Sequence, residues 1–194
     1  MRPYITTIRL AIRDMLLGDD CLSKMFDGRI QVNRSESWGE VELPVAGVYL
    51  EKVVPIEGDY SPPRDERRAT FTFEAVFLGR KDTDLEEKMD LADEQAKNRL
   101  VFGRYESIEG LDAQIVKAGG PAGLIIDIRW IESAIDYLPE ASDMIGALAT
   151  TFEIDYTQPW QEAVLEDFRE AGTAWRAKGP DGVMVDAENI AEVE

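Results

Sequence analysis

The chain contains no histidine and a single cysteine, Cys21. Without an imidazole, Ser-His-Asp and Cys-His arrangements and histidine metal sites are excluded. One thiol can make neither an intrachain disulfide nor a zinc site of several thiolates. Cys21 reads as a small apolar filler; the other reading, a nucleophile, lacks a base to activate it. No apolar run reaches about 18 residues, so no spanning helix and no membrane partner are expected. The first twenty residues carry Arg9, Arg13 and Asp14. They lack the continuous apolar core and small-residue cleavage site of a signal peptide, so the protein is expected in the cytoplasm where it is made. Positive charge is scarce: 21 Lys and Arg stand against 39 Asp and Glu, a formal net charge of -18. Such a field repels a phosphate backbone, which points to protein partners and to nucleic acid that passes without adhering.

What is present is a core-forming chain. At 194 residues and 44% hydrophobic content, it can build one domain, or one domain plus an arm. Residues 3–17 predict a helix, because Ile5, Ile8, Ile12, Met15 and Leu16 recur in three- and four-residue steps. Pro3 stands at its start and Gly18 with Asp19 and Asp20 at its end. "CLSKMFDG" predicts a short helical turn closed by Asp27 and Gly28, and "RIQVN" a short strand. "SESWGEVE" reads as a loop. "LPVAGVYLEKVV" is apolar on both faces from Val45 to Leu50, as in a covered central strand, with Pro44 at its first residue. "PIEGDYSPPRDERR" reads as a long exposed loop.

Strict alternation then returns. Ala69, Phe71, Phe73, Ala75 and Phe77 are expected inward, with Thr70, Thr72 and Glu74 outward. "KDTDLEEKMDLADEQAKNRLVFG" predicts the second main helix, with Thr83 and Glu86 at capping-box spacing and Leu85, Met89, Ala92, Ala96 and Leu100 buried. Residues 104–123 give only short apolar patches and the turn "AGGPAG". "LIIDIRWI" predicts a strand with Ile126, Ile128 and Trp130 on one side, and "ESAIDYLPEASDM" ends in a loop over residues 139–143. In "GALATTFEIDYT", Leu148, Thr150, Phe152, Ile154 and Tyr156 share one face. Beyond it, Trp160, Val164 and Phe168 mark a short amphipathic helix, and an acidic segment follows Pro180.

The expected fold is α+β: a mixed, mostly antiparallel sheet with two main helices packed against it, plus a C-terminal helical arm. The domain is expected over residues 1–157 and the arm over 158–194.

No constellation here asks for chemistry. Asp84, Glu86, Glu87, Asp90, Asp93 and Glu94 could be imagined as an acid/base or metal cluster. They lie opposite the apolar stripe of their helix, which is the pattern of a solvated face. "AGGPAG" precedes a strand, whereas phosphate loops follow one and open a helix. No catalytic, cofactor-binding or metal-binding residue is assigned, and no cofactor. Arg64, Arg67 and Arg68, just after Tyr60, read as a solvated loop or as a loop that pairs with an acidic neighbouring subunit. Asp65 and Glu66 interrupt them, which counts against nucleic acid. Trp160, Phe168 and Trp175 either complete the domain's own core or, with Val164, anchor on another chain. The candidate interface residues are therefore Tyr60, Arg64, Arg67, Arg68, Trp160, Val164, Phe168 and Trp175.

The order helix, "LPVAGVYL", turn-rich loop, "RATFTFEAVFLG", helix "TDLEEKMDLADEQAKNRL" and closing "ALATTFEIDYT" resembles the tail terminator family of long-tailed, lambda-like bacteriophages, over residues 3–157. The resemblance implies a six-membered ring that caps the tail tube, stops its polymerisation and joins the head-side connector. The implied partners are further copies of the chain, the tail tube protein and the connector or stopper, with DNA passing through the channel unbound. It implies a place in the virion tail or neck, assembly in the host cytoplasm, and no enzymatic reaction. The loop around residues 55–68 and the arm depart from the family pattern. Other readings are a head-tail stopper or adaptor, a tail tube subunit, and an acidic protein that mimics DNA.

Overall fold

The computed structural model describes residues 3–32, 43–57, 65–79, 82–102, 104–140, 143–158, 176–178 and 184–186. The chain divides into two units, Met1–Gln158 and Pro159–Glu194.

In the first unit, α1 (Tyr4–Leu17) buries Ile8, Ala11, Ile12, Met15 and Leu16, while Ile5 packs at the margin of the core. The Pro3 carbonyl accepts the amides of Thr6 and Thr7, which would otherwise be orphaned at the helix start. Asp19, expected only to stop α1, also starts α2 (Asp20–Met25): its Oδ1 accepts from the amides of Cys21 and Leu22, both at 2.9 Å. Asp27 and Gly28 then turn the chain at φ 51° and 68°, the left-handed region where Gly is at ease. The short strand β1 (Ile30–Val32) follows.

The sheet is built from β1, β2 (Val45–Pro55), β3 (Asp65–Gly79), β4 (Ile125–Glu140) and β5 (Asp143–Gln158) in the order β1-β2-β3-β5-β4. Among the described strands, only β1 and β2 pair parallel; every other pair is antiparallel. The fold is thus mixed α+β, as the alternating strands and two apolar helical stripes imply. Ala69, Phe71, Phe73, Ala75 and Phe77 of β3, with Leu148, Thr150, Phe152, Ile154 and Tyr156 of β5, are all buried. On the same face α3 (Asp82–Lys97) buries Leu85, Met89, Ala92 and Ala96, and Phe26 meets the rings of Phe73 and Phe77. A π-helical turn, Asn98–Phe102, carries Leu100 into the same core. Gly146 lets α3 approach β5, since a Cβ there would stand 2.7 Å from Met89 Sδ. Thr83 of the expected capping box has its side chain outside the described residues.

Several expectations are corrected. The loop read over residues 55–68 is shorter, because β3 begins at Asp65: Arg67 and Arg68 are strand residues paired opposite Tyr156 and Asp155. Tyr60 and Arg64 lie outside the described residues. A further helix, α4 (Arg104–Lys117), occupies the stretch that gave only weak signals, and it buries Ser107, Leu111 and Ile115. "AGGPAG" is a turn, as expected, and it closes that helix: Gly119 at φ 85° lets the amides of Gly119 and Gly120 reach back to Val116 and Ile115. The Asp112 carboxylate then accepts from the amides of Leu124 and Ile125, tying α4 to the start of β4. That strand runs on to Glu140 and β5 begins at Asp143, so Pro139, Glu140 and Asp143 of the expected loop are strand residues. The register shift at Ile125/Asp127 puts Ile126 out of phase with Ile128, whereas Trp130 shares the face of Ile128, opposite Phe152, and is exposed because β4 is the outer strand.

In the second unit, β6 (Arg176–Lys178) pairs antiparallel with β7 (Met184–Asp186). The helix expected around Trp160, Val164 and Phe168, and Trp175 with it, lies outside the described residues.

Candidate assembly surfaces

Two sheet edges stand open among the described residues. β1 pairs with β2 at Ala46, Gly47 and Val48, and no described strand pairs with the outer side of β2 from Leu50 to Pro55. On the far side, no described strand pairs with the outer edge of β4, which is 16 residues long. Sheet edges in soluble proteins are usually short, charged or covered, because unpaired N–H and C=O groups recruit other chains. Here both edges show apolar side chains: Val53 and Val54 on β2, and Ile126, Trp130, Ile131, Ile135 and Tyr137 on β4. Trp130 and Ile131 are 43% and 46% exposed, large for residues of their size.

Trp130 is nevertheless held firmly. Its Nε1 donates to Ser133 Oγ at 3.1 Å, and the Ser133 hydroxyl donates to Asp93 Oδ1 at 2.7 Å. The same carboxylate oxygen accepts the Thr150 hydroxyl at 2.7 Å, and its other oxygen pairs with Lys97 at 2.5 Å. The Lys97 ammonium lies 4.2 Å from the Trp130 ring centroid, within cation–π range. Asp93 therefore differs from the rest of its acidic run. Asp84, Glu86, Glu87, Asp90 and Glu94 are exposed as expected, but Asp93 is turned against the sheet, with its side chain 17% exposed. The expectation that it belongs to a solvated face is corrected: it sits on the border of the apolar stripe, one turn from Met89, where a carboxylate can reach β4 and β5.

On the face of the sheet away from the helices, Asp155 is the hub. Its two oxygens take Arg68 at 2.7 and 3.0 Å, and one of them takes Arg129 at 2.5 Å. Glu153 and Asp127 flank these guanidiniums at 3.6 and 3.8 Å. Arg67 makes a two-point contact with Asp65 at 3.0 and 2.9 Å. Those hydrogen bonds raise both guanidinium pKa values further, chiefly through Asp65 for Arg67 and through Asp155 for Arg68. Arg67 and Arg68 thus have acidic partners within their own chain. Sequence reading could not find the partner of Arg68, which is 87 residues away.

Two carboxylates, Glu51 and Glu74, share that face near β2. The Thr72 hydroxyl donates to Glu51. Desolvation, and secondly the Glu51 charge, hold Glu74 above the usual carboxylate range. A raised pKa in the folded state means that the folded chain binds more protons than the unfolded one. Stability therefore falls as pH rises from the unfolded value, about 4.3, through the folded one. Glu74→Gln is expected to raise the melting temperature at neutral pH and to leave it unchanged well below that window; thermal melts at both pH values check this.

Cys21 is half-buried and lines a groove of about 470 Å³ with Lys24, Met25, Pro44, Phe77 and Lys88. No described group of His, Cys, Asp and Glu is arranged to hold a metal ion. No described helix is long and apolar enough to cross a membrane.

No protein-family model matches the chain, and no curated protein matches it. Among solved structures, a chain titled "Virion of native gene transfer agent (GTA) particle" is similar in fold, at a TM-score of 0.48 and 9% identity. The likeness covers 81% of this chain and 100% of that one.

Proposed function

We propose that the chain is a structural virion protein, the tail terminator of a long-tailed bacteriophage. Copies close into a ring, expected to be six-membered, that caps the tail tube, ends its growth and receives the head-side connector. The observation that carries this reading is the pair of sheet edges, on opposite sides of one sheet, that no described strand pairs with, both with exposed apolar residues. A self-complementary dimer needs one patch; a contact between two different patches passes from copy to copy and makes a ring where the rotation closes, a filament where it does not. The order of helices and strands over residues 3–157, which resembles the terminator family, supports the more specific role. The work is mechanical, with no reaction catalysed. A net charge of -18 suits a channel through which DNA slides without adhering.

Mass measurement in solution with negative-stain imaging tests the reading. Six copies of a 21.8 kDa chain weigh about 130 kDa and should appear as rings that do not grow. Filaments lengthening with concentration would assign the chain to the tail tube instead. A stable monomer at high concentration would remove the ring altogether.

A further inference from the structure

We infer that the ring is joined by strand edges: the outer edge of β2 of one copy docks antiparallel against the outer edge of β4 of the next. This rests on the ring reading and adds the surfaces that make it.

Strand direction is the first argument. β2–β3, β3–β5 and β5–β4 are all antiparallel, so β2 and β4, at the two ends of this series, run in opposite directions. Rotation about an axis lying along the strands preserves direction. It therefore sets β4 of one copy beside β2 of the next with the same antiparallel alternation that runs through the sheet.

Height is the second. The ladders read Leu50, Phe71, Phe152, Trp130 and Pro55, Arg67, Tyr156, Ile125 across the sheet. The end of β2 that no described strand covers is thus level with the first part of β4, and a rotation without translation brings these two stretches together.

Side-chain chemistry is the third. Val53 and Val54 meet an edge that presents Ile126, Trp130 and Ile131. Trp130 is already held by Ser133 and Lys97, so little side-chain freedom is lost on contact. Each edge also carries a charge with no partner among the described residues: Lys52 on β2 and Glu132 on β4. The bulges in both strands, at Leu50/Lys52 and Trp130/Glu132, interrupt any long run of regular hydrogen bonds. Side chains then carry most of the contact, and amyloid-like extension is discouraged.

The test uses the full chain with Cys21→Ser, which removes the native thiol. Val53→Cys and Ile131→Cys are made separately in that background, and each is treated with a short bis-maleimide alone and after mixing. Cross-linked dimers are expected from the mixture and none from either variant alone. Cross-linking of Val53→Cys to itself would mean a two-fold contact and overturn the inference. A ring of unchanged mass with no cross-link in the mixture would also overturn it, while leaving the ring standing. A wild-type monomer would take down both. Charge exchange gives an independent readout: Lys52→Glu or Glu132→Lys alone should weaken each contact by about threefold to fivefold, and the double variant should recover it. Both side chains are exposed, so neither change threatens the fold; equal ring stability in all four proteins would refute the pairing.

Discussion

Asp155→Ala is expected to lower the stability of the first unit by about 2–3 kcal/mol, seen as a fall in the urea midpoint with an unchanged slope. The carboxylate is 11% exposed and answers two guanidiniums, Arg68 and Arg129. Removing it leaves two adjacent positive charges on a largely covered surface, which costs more than the pair itself contributes. Arg68 and Arg129 keep 33% and 40% of their own exposure, so water replaces part of the loss and the effect stays below that of a fully buried pair. Glu153 and Asp127 stand close enough to take up part of the charge. The double variant Arg68→Ala with Asp155→Ala should therefore lose less than the sum of the single losses. Additive losses would mean that the two side chains do not act through each other.

The elements legible in the sequence were those with one dry face and one wet or polar face. In β3 and β5 every inward residue expected from the alternation is buried, because helices cover that side and nothing shifts the phase. α1 and α3 were legible for the same reason at the helical period. β4 was not, beyond Ile131. It is an edge strand, so Ile131, Ile135 and Tyr137 are exposed although apolar, its register shifts break the period, and Pro139 looks like a terminator. A proline is tolerated at a sheet edge, where its missing N–H faces no partner. α4 was hidden by Gly110 at its middle and by an apolar face of few residues, chiefly Ile108, Leu111 and Ile115.

The assembly surfaces were less legible than the core. The local charge run singles out Arg67 and Arg68, but their strand position and the long-range partner of Arg68 depend on β3 pairing with β5. On its helix alone Asp93 looks like one more solvated acid, and only the tertiary packing brings Ser133 and Thr150 to it. Open edges leave no local signature at all: an unpaired strand and a paired one can share a sequence, and the difference lies in what the rest of the chain puts beside them.

Phe152→Ala is expected to cost about 3–5 kcal/mol, the largest loss from any single change considered. Phe152 is 1% exposed and stacks on Phe71 across β3 and β5, with ring centroids 6.1 Å apart. Its other ladder neighbour is Trp130, so it stands between the central strand and the edge strand. Truncation removes the transfer energy of the ring and leaves a cavity that helix and sheet cannot both close, because α3 already sits tightly over β5 at Gly146. A domain of this size holds only about 5–15 kcal/mol in reserve, so the variant should be marginal at body temperature. Phe152→Leu, which keeps most of the volume, should lose less than half as much. Below its melting point, Phe152→Ala should also assemble less well than the wild type, since slack at residue 152 reaches β4 and the seat of Trp130 directly. Chemical denaturation of both variants, alongside their solution mass at low temperature, separates the two effects: a stability loss with unimpaired ring mass would show that the core and the β4 edge are mechanically independent.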